Sequence, residues 1–138
     1  MNKLLVSFLF LSASTICLPA YAEVAVIVNS ANADNLTKDE LSAIYMGKSK
    51  SFPSGEHVTI YIQAKGSSAD EFNRTLLEKS TAQFKSYWSK LAFSGKATPP
   101  KSASDDLDMK EAVASDPSAI GYIDATLVDE TVKVIDTY

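Results

Sequence analysis

Cysteine is almost missing from this chain: its 138 residues hold one, Cys17, inside an apolar N-terminal run. Histidine is as scarce, with His57 alone. One thiol closes no intrachain disulfide, and one imidazole builds no histidine-based metal site. No base stands beside any serine, so nucleophilic hydrolysis lacks its proton acceptor. Asp105, Asp106 and Asp108 are crowded but lack calcium-loop spacing, and they read as the acidic first turn of a helix. Gly66-Ser67-Ser68 lacks the G-x-x-x-x-G-K-S/T frame of a nucleotide loop. His57, at the start of a strand pattern, reads as structural or exposed. With no catalytic set, metal set or cofactor motif, the chain reads as a non-enzyme.

Apolar runs of membrane-spanning length are lacking too. Residues 1–22 have the layout of a secretory signal: Lys3, an apolar stretch over 4–11 continued by Ala13 and Ile16, and the small-x-small site Ala20-Tyr21-Ala22. The stretch is short for a bilayer and broken by Ser and Thr. Ile16 precedes Cys17 where a lipoprotein signal wants a small residue, which favours soluble periplasmic export over lipid anchoring. Cleavage after Ala22 leaves residues 23–138 as a single thiol-free domain that must stand on a hydrophobic core. Positive charge is in deficit as well, with a net charge of −4, or −5 once Lys3 is lost. An acidic chain is a poor partner for nucleic acid or an anionic membrane. Any anion it holds must be held by local donors.

What the sequence does contain centres on residues 57–77. Val58, Ile60 and Ile62 alternate with Thr59, Tyr61 and Gln63, the period of a strand with one buried face. Lys65-Gly66-Ser67-Ser68 turns, and Ala69, Phe72, Leu76 and Leu77 then follow a helical period. Strand, Gly-Ser-Ser turn and helix bring unpaired N–H groups, two hydroxyls and a positive helix end together, which suits an anion. The same residues also read as a plain capping box, Ser68 with Glu71.

Around this centre, 23–29 is an apolar run expected of a strand covered on both faces. Thr37 with Glu40 opens a helix, Leu36 and Leu41 have staple spacing, Leu41, Ile44 and Tyr45 form its buried stripe, and Gly47 ends it. Ser80 with Gln83 opens another helix, in which Phe84, Tyr87, Trp88, Leu91 and Ala92 share one face; with Phe93 it carries four aromatics, which read as core. Residues 96–104, with Pro99-Pro100, read as an extended surface crossing. Ser104 opens a short helix whose inner positions are Leu107, the Lys110 stem, Val113 and Ala114. Strands are expected over 119–124 and 131–136. The order β-α-β-α-α-α-β-β predicts an α/β fold with a mostly parallel or mixed sheet flanked by helices.

Residues 41–47 (L-S-A-I-Y-M-G) with Lys48, Gly66-Ser67-Ser68 before Phe72, Tyr87-Trp88, Phe93-Ser94-Gly95-Lys96 with Pro99-Pro100, and 119–123 (A-I-G-Y-I) together resemble the periplasmic phosphate-binding proteins of ABC importers, especially small single-lobe members. The resemblance spans nearly all of 23–138. It implies a single periplasmic-binding-protein-like lobe whose ligand is phosphate or a similar oxyanion, bound weakly, with a membrane or other envelope protein as partner and no cofactor. By position it implies Gly66, Ser67 and Ser68 as ligand-binding residues, with the Asn29-Ser30 loop facing them. The family usually carries an Arg just before the Gly-Ser loop; here Gln63 and Ala64 stand there, leaving Lys65, or Arg74 reaching back, as the cation. A clamshell needs two lobes, and this length supplies one. The alternative is an interaction module with a degenerate anion site, docking onto another envelope protein or onto itself.

Overall fold

The computed structural model describes residues 23–138, together with Ser14 and Ile16. The leader expected over 1–22 and its cleavage site otherwise lie outside the described residues. Among these, no helix is long and apolar enough to cross a membrane.

The run V-A-V-I-V-N forms β1 (Val24–Asn29), buried at every position. Alternation along a strand sends successive side chains to opposite faces. Val24, Val26 and Val28 therefore enter one core with Tyr45, Phe72, Trp88 and Tyr122, while Ala25 and Ile27 enter a second with Met109, Val113 and Ile123. The unbroken apolar run is thus the mark of a strand with a core on each side.

The elements that follow are α1 (Lys38–Tyr45), β2 (Thr59–Gln63), α2 (Ser67–Leu76), α3 (Thr81–Phe93), β3 (Lys101–Ala103), α4 (Asp106–Ser115), β4 (Ala119–Asp124) and β5 (Val132–Thr137). A 3₁₀ turn over Ala125–Leu127 joins the last two strands. The capping boxes expected at Thr37–Glu40 and Ser80–Gln83 are both formed. Gly47 and Gly95 end α1 and α3 with φ of 70° each, the left-handed conformation expected of the residue after a helix.

The strands form one sheet in the order β3-β2-β4-β1-β5. β2 runs parallel to β3 and β4, whereas β1 is antiparallel to β4 and to β5. Four strands share a direction and β1 alone opposes them. The sheet is mixed, flanked by α1–α3 on one face and α4 on the other, as the α/β reading expects.

Three details depart from the sequence reading. Residues 101–103, expected as surface crossing, form β3 by pairing with β2. Phe93, expected in the core, is 96 % exposed. It lies nine residues beyond Phe84, which at 100° per residue is half a turn round the helix from the buried face. Leu107 is 60 % exposed, and Met109 takes the inner position on α4 with Val113.

Gly121 shows how closely α4 lies on β4. A β-carbon there would stand 2.5 Å from Met109 Sδ and 3.0 Å from Val113 Cγ2. Both neighbours are fully buried and cannot swing into solvent. Gly121→Ala should cost about 1–3 kcal/mol through overpacking, read as a lower urea midpoint with an unchanged slope. An unchanged midpoint would show that α4 can shift away freely.

Candidate functional site

The site forms where β2 ends and α2 begins. Gly66 has φ of 111°, a backbone conformation that glycine alone adopts without strain, and a β-carbon there would meet nothing within 4 Å. Its glycine is therefore required by backbone conformation rather than by lack of space. α1, α3 and α4 each receive a side-chain cap, from Thr37, Ser80 and Asp105, whereas the start of α2 has none.

The capping box expected from Ser68 and Glu71 is not formed. Ser68 lies inside the helix, past the extended position from which a side chain can cap. Its hydroxyl donates to Asp106 Oδ2 at 3.0 Å. Glu71 instead accepts from Arg74 Nη2 at 2.6 Å.

Gln63, Lys65, Gly66, Ser67, Ser68, Ser104, Asp105 and Asp106 line an open pocket of about 320 Å³ at this point. Gln63, expected on an outer strand face, is 5 % exposed because β4 and α4 cover it. Its Nε2 donates to Asp106 Oδ1 at 2.7 Å and to the Tyr122 carbonyl at 3.2 Å. Its backbone N–H donates to the Tyr122 hydroxyl at 2.9 Å. Burial pushes the Tyr122 phenol well up; the hydrogen bond from the Gln63 backbone works the other way, and the nearby charges of Asp106 and Asp70 add to the rise. Tyr122 is therefore a neutral anchor for the strand end, stacked on Phe72 with centroids 4.0 Å apart.

α4 enters the pocket with its own first turn already satisfied. Asp105 accepts from the Asp108 N–H at 2.8 Å, and Asp108 Oδ2 accepts from the N–H and the hydroxyl of Ser104. That leaves Asp106 to reach across to Ser68 and Gln63. The crowded aspartates are thus only partly explained by the dipole of their own helix. Asp106 is the residue of the candidate site that sequence reasoning missed: nothing local distinguishes it from Asp105, and its partners are 38 and 43 residues away.

Of the residues expected at the site, Lys65, Gly66, Ser67 and Ser68 come together. Asn29 and Ser30 do not join them. Because β1 runs against β2 and β4, Val28 pairs with Ile120 near the start of β4, at the opposite end of the sheet from Gly66. Asn29 there donates from Nδ2 to the carbonyls of Val113 and Ala114, both at 3.0 Å, closing the end of α4. Arg74 faces Glu71 and lines a separate groove with Asp70, Glu78 and Lys79, so Lys65 is the cation of the pocket. Among the described residues no group of three or more His, Cys, Asp or Glu is arranged to hold a metal. The pocket brings together hydrogen-bond donors and one ammonium beside an acidic wall.

The fold is shared with solved structures. A protein of Clostridium perfringens assigned as a phosphate ABC transporter substrate-binding protein, with bound phosphate, superposes with a TM-score of 0.64 at 21 % identity, covering 84 % of this chain and 46 % of that one. An ABC-type phosphate transport receptor from Vibrio cholerae matches with a TM-score of 0.56 at 22 % identity, over 84 % and 47 % of the two chains. PstS from Borrelia burgdorferi matches with a TM-score of 0.57 at 14 % identity, over 83 % and 47 %. At such identities the likeness is one of fold, and the chain spans about half the length of these proteins. No curated protein matches it. The PBP superfamily domain matches residues 18–136, nearly the whole sequence, and this chain belongs to that family.

Proposed function

We propose that this protein is an exported, non-enzymatic binding lobe for phosphate or a similar oxyanion, serving a membrane transport or sensing partner. The observation that carries this reading is the start of α2: a helix end without a side-chain cap, opening on a pocket that holds Ser67, Ser68 and Lys65. Aligned N–H groups and the helix dipole favour negative charge at such an end. That the fold is shared with proteins described as phosphate-binding supports the choice of ligand.

Binding should be weak. The pocket has no guanidinium, and one charge-assisted hydrogen bond contributes about 1.5–3 kcal/mol. The open face leaves the anion partly hydrated and screened by salt. Dissociation constants on the order of micromolar to millimolar are expected from calorimetry with phosphate and with sulfate at low ionic strength. Replacing Ser67 and Ser68 together with alanine should weaken binding roughly tenfold, with melting temperature followed in parallel to separate affinity from stability. Absence of both binding and thermal stabilisation at millimolar phosphate would defeat the reading.

One observation favours a second reading. Asp106 already engages two of the donors that an oxyanion would use, as expected of a degenerate site in a lobe that serves protein–protein docking in the envelope. In that case the protein should ignore phosphate and retain an envelope partner on cross-linking.

A further inference from the structure

We propose that Asp106 is the resident anion of this cradle, an intramolecular carboxylate that a free oxyanion must displace before it can bind; the inference rests on the oxyanion reading above. The geometry is that of a bound anion. Each carboxylate oxygen takes one hydrogen bond from a buried donor, Oδ1 from Gln63 at 2.7 Å and Oδ2 from Ser68 at 3.0 Å. Gln63 is 5 % exposed and Ser68 6 %, and both donors face the open pocket, where an anion that takes the place of the carboxylate can reach them.

Asp106 has no competing duty. The cap of α4 is supplied by Asp105, which takes the Asp108 N–H, while Ser104 is held by Asp108. An oxyanion arriving beside Ser67 and Lys65 would meet a like charge a few ångströms away, with the Ser68 hydroxyl and the Gln63 amide already engaged. Asp106 is itself only partly covered, so its carboxylate can turn outward to solvent when an anion takes the two donors. The cradle is closed by a competitor built into α4, and its apparent affinity is the intrinsic affinity reduced by the fraction of molecules in which Asp106 is turned out.

Two substitutions test this in the otherwise unaltered protein. Asp106→Ala removes the carboxylate; Asp106→Asn removes its charge at nearly constant shape, and serves if the alanine variant does not fold by circular dichroism. Calorimetry with inorganic phosphate should show at least tenfold tighter binding for the folded variant than for the natural protein. Adding Ser68→Ala to it should abolish most of the gain. Equal or weaker phosphate binding by the folded variant, while the natural protein binds, would overturn the inference, and weaker binding would make Asp106 a ligand; the oxyanion reading would survive. Binding by the variant but not by the natural protein would support the inference and remove phosphate binding from the resting protein. Absence of binding by both would overturn both.

Discussion

Trp88→Ala is expected to lower the unfolding free energy by about 3–5 kcal/mol, the range for emptying a buried aromatic site. Trp88 is 6 % exposed and shares the buried face of α3 with Phe84. Its indole Nε1 donates to the Tyr45 carbonyl at 2.9 Å, at the end of α1. The neighbouring Tyr87 hydroxyl donates to the Met46 carbonyl at 2.6 Å. Together these bonds tie the last turn of α1 to α3, and Gly47 turns so close to the ring that a β-carbon would stand 2.9 Å from it. Removing the ring opens a cavity and also leaves the Tyr45 carbonyl without its partner. Chemical denaturation followed by circular dichroism is the suitable readout, since Trp88 is the sole tryptophan. A loss below about 1 kcal/mol would mean that the loop at Gly47 collapses into the space.

Phe72→Ala should cost about the same, 3–5 kcal/mol, and should reach the site as well. Phe72 is fully buried. It stacks on Tyr122 with planes 8° apart, and meets Tyr45 edge-on with centroids 4.6 Å apart. Such pairs contribute beyond their buried area. The hydroxyl of Tyr122 holds the backbone N–H of Gln63, and the Tyr122 carbonyl holds the Gln63 side chain. Loosening the stack therefore loosens the strand end that presents Gln63 to the pocket. Any phosphate affinity should fall in Phe72→Ala by more than in Trp88→Ala, because Trp88 is bonded to the end of α1 and has no hydrogen bond or ring contact to Gln63 or Tyr122. Equal effects on affinity would show that the site responds to global stability and not to the Phe72–Tyr122 stack.

Much of the molecule is written in short-range patterns. The 3.6-residue period of α3, the boxes Thr37–Glu40 and Ser80–Gln83 and the glycines after α1 and α3 involve residues within a few positions of one another. Their physical causes act within one turn of backbone, so the sequence alone determined them. The same holds for β1, whose unbroken apolar run marks a strand with a core on each side, and for the strand–Gly-Ser-Ser–helix passage that carries the candidate site.

What only tertiary structure decided involves distant partners. The family resemblance sets the Asn29-Ser30 loop facing Gly66; β1 runs against its neighbours, and Asn29 closes the end of α4 instead. Ser68 and Glu71 have the spacing of a cap, but helix α2 starts two residues earlier than a cap at Ser68 requires, and Ser68 turns to Asp106. Leu107 is expected as an inner residue of a short amphipathic helix, and the close approach of α4 to Gly121 selects Met109 instead. The acidic triplet reads as one feature in sequence and divides into two local roles and one distant one. Caps and periods are decided by energies that neighbouring residues feel whatever the rest of the chain does. The occupant of the cradle is decided by which face of α4 the sheet turns toward α2, and that orientation exists only once the two cores have formed.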